Sequence, residues 1–395
     1  MEPVAGIRHA AILRSSHAHA RIKSIDTSRA EALPGVYGVV TGADVAGAIN
    51  PIPSAVRVPI KFYPIAVEKV RYVGEPVAVI AAIDRYVAED AMELIEIEYE
   101  SLPPVADPVA ALQDDAALLH DDVGSNEVHH RTFRYGDPDA AFARADKVVK
   151  LEWRYPRYSS TPMETYGVVA NFERQPDRYT IWSNFQGPFI LHALMTGALG
   201  VPGNRLRLIT APHSGGSFGI KQAMFPYMVL LGACSKLLGC PLKWIEDRLE
   251  HLIGASSAAD RADKVEAAFS NDGELLGLRF DNIVNVGAFV RAPEPASVYR
   301  MHAASNGCYR VKDIFVENRL VVTNMTPIGL NRGYGGPQFY YALERVMEAG
   351  AKELGIDPAE IRRRNFIQPD EFPYDAPAGA TYDAGDYEAG LNQAL

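Results

Sequence analysis

The chain has 395 residues, 48% of them apolar and 22% charged, and its 39 basic and 49 acidic side chains leave a net charge of −10. That composition supplies a sizeable core and, at roughly 150 residues per domain, predicts two or three domains. The acidic balance argues against a general grip on nucleic-acid phosphates, and no apolar run reaches the ~18–20 residues of a membrane span. The N-terminus shows no secretory leader, so the chain reads as cytoplasmic. Cys234, Cys240 and Cys308 are too few and too scattered for a disulfide framework, and they lack the spacings of zinc or iron–sulfur ligation.

In chain order, alternation over residues 20–25 and the apolar run 36–40 predict strands. Between them Thr27 can cap a short helix that Gly35 helps to end. Residues 77–82 read as a buried strand, and Asp84 can cap a helix that keeps Val87, Ala91 and Leu94 on one face. Residues 95–99 alternate as a strand half open to water. The stretch from Pro103 to about Gly124, with two prolines and two acidic pairs, reads as a linker. Beyond it, Asp137-Pro138 marks a helix start, and strands are expected at 148–154, 178–182 and 205–210. Helices are expected at 188–199, 222–238 and 337–354, with another opened by Asp357-Pro358 and one beginning near Asp386.

Three segments have the composition of a binding site. Residues 214–221, SGGSFGIK, lie between an expected strand and an expected helix, where glycines let backbone N–H groups approach an anion. The segment is neither a Walker A loop nor GxGxxG; a plain turn is the competing reading, but it leaves Phe218 unexplained. Residues 331–338, NRGYGGPQ, place Arg332 and Tyr334 around Gly333. An arginine there suits an anionic oxygen, and a tyrosine ring can stack on a planar substrate. Gln186, at the end of a strand running into Gly187-Pro188, has an amide free for an oxygen ligand or for a structural bond. Glu164, in Met163-Glu164-Thr165, reads as a satisfied structural carboxylate.

Taken together and in order, these segments resemble the molybdopterin-binding subunit of the xanthine dehydrogenase, aldehyde oxidase and carbon monoxide dehydrogenase family. Residues 13–22, LRSSHAHARI, residues 73–78, VGEPVA, and the stretch from Leu354 to Asn365 carry the same resemblance, which covers nearly the whole chain. It implies an α+β fold: an aldehyde oxidase/xanthine dehydrogenase hammerhead-like domain at 1–105, a linker at 106–124, and the first part of the molybdenum cofactor-binding domain at 125–395. It also implies a molybdenum–molybdopterin cofactor, with the cytosine dinucleotide as one form, whose metal takes no ligand from the protein. By position, Gln186, Gly216, Ser217, Phe218, Gly219, Arg332 and Gly333 fall to the cofactor, and Gln222, Arg300 and Tyr334 to the substrate.

The departures narrow the chemistry. Gln222 stands where purine-oxidising members carry a glutamate, which makes xanthine a doubtful substrate. The 331–338 loop has no cysteine of the kind copper-dependent carbon monoxide oxidation needs, and Ser217 replaces a usual glycine. The family's catalytic base, a glutamate, belongs to the second half of the subunit, so no catalytic residue is assigned in this chain. The expectation is the N-terminal half of a split subunit, as in a nicotinate-oxidising type, or of a truncated one. The expected activity is hydroxylation of an aromatic N-heterocycle with oxygen from water; aldehyde oxidation and a non-catalytic scaffold role are the alternatives. The expected partners are a polypeptide supplying the C-terminal half, a [2Fe–2S] subunit and an FAD subunit.

Overall fold

The computed structural model describes residues 4–395, apart from the side chains of Arg300 and Met301. Two large sheets organise the chain. The first has seven strands, in the spatial order Leu206–Thr210, Arg178–Ser183, Gly167–Glu173, Leu242–Ile245, Arg8–Arg14, Pro76–Ala82 and Val36–Thr41. Arg8–Arg14 runs parallel to Leu242–Ile245, so strands from either side of residue 106 share one sheet. The second has five strands, in the order Glu127–Tyr135, Asp313–Val322, Leu275–Gly287, Arg261–Phe269 and Lys147–Tyr155. A three-stranded sheet of Lys69–Val70, Ala20–Asp26 and Glu96–Ser101 completes the N-terminal region.

Side-chain pattern explains the layers. Pro76–Ala82, PVAVIAA, is buried along its whole length, as a central strand covered on both faces must be. The helix Phe225–Leu238 is apolar on nearly every side and buried from Phe225 to Ser235, which places it in the main core with Ile181, Met195 and Trp244. The helix Gly336–Leu354 is one-sided: Phe339, Leu343, Val346 and Met347 pack with Val265, Phe269 and Phe280 of the five-stranded sheet. The Phe280 and Phe339 ring centroids lie 4.4 Å apart.

One buried amide ties the N-terminal region to the rest. Asn324 donates to the carbonyls of Ala18 (3.0 Å) and Arg71 (2.9 Å) and accepts from the N–H of Val105 (2.8 Å). All three backbone groups would otherwise lack partners where water is scarce. Within the expected linker, Leu119 is fully buried and His120 Nε2 lies 2.8 Å from the Ala288 carbonyl oxygen.

Two local expectations are corrected. Thr27 precedes the helix Ser28–Glu31 but makes no side-chain cap bond; Asp26 Oδ1 accepts from Ser28 N–H instead, at 2.9 Å. The helix expected from Gln222 begins at Phe225, because residues Ile220–Gln222 form a tighter 3₁₀ turn directly after the left-handed Gly219.

Candidate active site

Two neighbouring strands build one edge of the site. Arg178–Ser183 and Leu206–Thr210 run parallel, with Ser183 paired to Thr210, so both chains leave the sheet side by side. The first continues through buried Asn184 and Phe185 to exposed Gln186, then turns through left-handed Gly187 into the helix Pro188–Leu199. The second continues into the glycine-rich loop. Such carboxyl ends of parallel strands are where open sheets leave room for ligands.

The loop is held against Gln186 by the Ser217 hydroxyl and by a backbone bond from Gln186 N–H to the Lys221 carbonyl at 3.3 Å. Ser217 Oγ donates to Gln186 Oε1 (2.6 Å) and accepts from the N–H groups of Gly219 and Lys221 (both 3.3 Å). Gly216, Phe218 and Gly219 have φ of +102°, +53° and +104°. An aromatic residue in the left-handed region is strained, and Phe218 is 40% exposed. At Gly219 the reason for glycine is contact: a Cβ there would stand 2.9 Å from the Leu330 carbonyl oxygen.

That contact brings in the second glycine-rich segment. Asn331 Oδ1 takes the hydroxyl of Ser160 and accepts from Arg332 N–H at 2.8 Å, which fixes the start of the loop. Arg332 then reaches over Phe218, its Cζ 4.9 Å from the ring centroid. Gly333, Tyr334 and Gly335 are all left-handed, at +96°, +51° and +87°. Half-buried Tyr334 therefore sits on a backbone that few tyrosines adopt.

Gln186, Ser217, Phe218, Gly219, Arg332 and Gly333 thus form one continuous wall. Gln222 lies beneath it, 5% exposed, with Nε2 3.3 Å from where a Cβ on Gly187 would be. The side chain of Arg300 lies outside the described residues.

Glu164 is the participant that composition did not single out as functional. Its Oε2 accepts from Gly215 N–H at 3.0 Å and pairs with the ammonium of fully buried Lys221. Burial pushes the Glu164 carboxyl up, but Lys221 and the Gly215 N–H outweigh it and hold the group below the usual carboxylate range. Two residues on, Tyr166 donates its hydroxyl to the Ile220 carbonyl at 3.0 Å.

The donors on this wall are a carboxamide, a guanidinium and a run of backbone N–H groups around positive-φ residues. They suit a ligand rich in oxo or phosphate oxygens. A Cβ at Gly216 would fall 3.2 Å from the Phe218 ring and 3.3 Å from Pro162, so a side chain there would fill the cradle.

Residues 119–366 match the family model of the molybdopterin cofactor-binding domain, and residues 2–103 that of the aldehyde oxidase and xanthine dehydrogenase a/b hammerhead domain. The chain belongs to the molybdopterin-binding subunits of the molybdenum hydroxylases. It is 36% identical to the carbon monoxide dehydrogenase large chain of Afipia carboxidovorans, over 97% of this chain and 49% of that one. The crystal structure of quinoline 2-oxidoreductase from Pseudomonas putida 86 superposes with a TM-score of 0.91 at 35% identity, over 99% of this chain and 50% of that one. The chain therefore spans about half the length of these two molybdenum hydroxylase chains. The nicotinate dehydrogenase large molybdopterin subunit of Eubacterium barkeri is 31% identical, and there the match covers 91% of this chain and 82% of the relative.

Proposed function

We propose that this chain forms the cofactor-holding part of a molybdenum hydroxylase that oxidises an electron-poor carbon of an aromatic N-heterocycle, the oxygen coming from water. The observation that carries the reading is the convergence of Gln186, the 216–219 loop and Arg332 on one wall, through the Ser217–Gln186 hydrogen bond and the Arg332–Phe218 contact. Bound there, the molybdenum–molybdopterin group supplies two-electron oxidation.

The protein's own residues do the rest. The Gln186 amide, fixed by Ser217, offers hydrogen bonds to an oxygen of the group. The backbone at 216–219, with Arg332 and Gly333, holds it by charge-assisted and N–H contacts. Tyr334 presents a ring to a planar substrate, while Gln222 serves its polar edge. Gln222 supplies no negative charge, which disfavours purines that rely on a carboxylate at that position. The general base is a glutamate from outside these 395 residues.

The remaining partners follow from the electron path. A [2Fe–2S] subunit and an FAD subunit accept the electrons, and a polypeptide supplying the second half of the family's length completes the site. Phe189 and Met163, 92% and 91% exposed, support that last role, because one follows Gln186 closely and the other adjoins Glu164. No helix among the described residues is long and apolar enough to cross a membrane, and the complex is proposed to be cytoplasmic.

A substrate panel on the purified complex tests the reading. Reduction of the complex by quinoline- or pyridine-type compounds, with ¹⁸O from labelled water in the product, is expected. Reduction by aldehydes alone would move the assignment to aldehyde oxidation, and reduction by neither class would leave only the scaffold role.

A further inference from the structure

We infer that Glu164 and Lys221 act as a positioning pair that sets the shape of the 215–221 loop, with Tyr166 as its second support; this rests on the reading of that loop as the cofactor cradle. Glu164 and Tyr166 lie two residues apart in the segment that leads into the strand Gly167–Glu173, and both side chains reach the 215–221 loop. Glu164 spans both ends of the loop, and Tyr166 holds its exit. Glu164 takes the Gly215 N–H at the entrance and the Lys221 ammonium at the exit, while the Tyr166 hydroxyl takes the Ile220 carbonyl. Backbone bonding adds to this, with Glu164 N–H donating to the Gly215 carbonyl at 3.4 Å.

The same short segment also carries Gln186. Asn184, two residues before Gln186, donates to the Thr165 carbonyl (2.8 Å) and accepts from Gly167 N–H (3.0 Å). Residues 164–167 are therefore a common rail from which both halves of the wall take their position. Lys221 is 0% exposed, and an ammonium so deeply buried is tolerable only with its partner in place. Loss of Glu164 frees the Gly215 N–H and strands Lys221, and relief for both lies in moving the loop.

Three forms of the assembled complex, wild type, Glu164→Ala and Glu164→Gln, decide the matter. Each is purified from a host that makes the pterin and from one that cannot. Two quantities are read: pterin and molybdenum per folded chain, and amide hydrogen exchange over residues 212–222. Glu164→Ala is expected to lose about tenfold or more of its cofactor occupancy, in the range usual for supporting residues, and to exchange faster in the loop alone. Glu164→Gln keeps an acceptor for Gly215 and is expected to recover part of both. A merely structural role would lower the yield or melting temperature while leaving occupancy per folded chain and loop exchange unchanged, and that result overturns the inference. Exchange in the pterin-free complex separates the two claims. If the wild type never binds pterin yet Glu164→Ala still loosens the loop, the pair stands and the proposed function falls.

Discussion

Gln186 and Arg332 illustrate what one side chain can contribute on this wall. Neither is buried, so neither holds the core together, and both are fixed through partners: Ser217 for the amide, Phe218 and the Asn331 turn for the guanidinium. Gln186→Ala and Arg332→Ala are therefore expected to lower turnover by about 10- to 100-fold while shifting the melting temperature little. Steady-state kinetics beside thermal unfolding checks both halves of that statement. Glu75, in the VGEPVA stretch, is the opposite case. It is 3% exposed, and burial raises its carboxyl from the ordinary 4.5 to about 7, against the pull of Arg71 and its N–H. A carboxyl with a raised folded-state pKa adds stability that is complete below about pH 4.5 and is lost as pH rises through about 7. That loss amounts to about 3 kcal/mol for a shift of this size. Denaturant unfolding across this interval should show the decline in the wild type and a shallower slope in Glu75→Gln. Parallel slopes would show that Glu75 does not titrate as described.

At the level of elements, local chemistry was often legible. Asp84, Asp137, Asp357 and Asp386 each cap the helix expected of them, because a short acceptor before a helical run is a self-contained signal. The helix Pro188–Leu199 starts at a proline and stops at a left-handed glycine, as its sequence reads. Strands such as Leu275–Gly287 and Asp313–Val322 escaped the reading. They pair in parallel across a long loop, so no turn signal marks them; Leu275–Gly287 is buried on most of its length, and in Asp313–Val322 the alternating burial is masked because Asn318 takes a buried position and Phe315 a half-buried one. The site divided in the same way. Glycines and the aromatic inside them were visible, whereas the link from Glu164 to Lys221 spans 57 residues and exists only once the loop folds back. The left-handed loops also carry a direct test. A Cβ at Gly335 would meet the Ser297 carbonyl oxygen at 1.9 Å, on a backbone with φ of +87°. Gly335→Ala should cost about 1–3 kcal/mol or more and displace Tyr334. Unfolding free energies for this variant and for Gly355→Ala separate strain from clash, since Gly355 has positive φ with nothing within 4 Å.

For the molecule as a whole, strands of the N-terminal region and of the cofactor-binding region complete a single sheet, and the candidate wall lies at the far edge of that sheet from Val36–Thr41. The wall is thus carried on a large continuous core, while its outer side shows Phe189, Met163 and Phe218 to solvent. A wall carried on a rigid core keeps its geometry, which is what holding a cofactor requires. The role proposed for this wall is to hold molybdopterin. Its most direct test is the molybdenum and pterin content per copy of this chain in the complex purified from its native cell. A ratio close to one is expected for both. A ratio near zero in a fully assembled complex would contradict it.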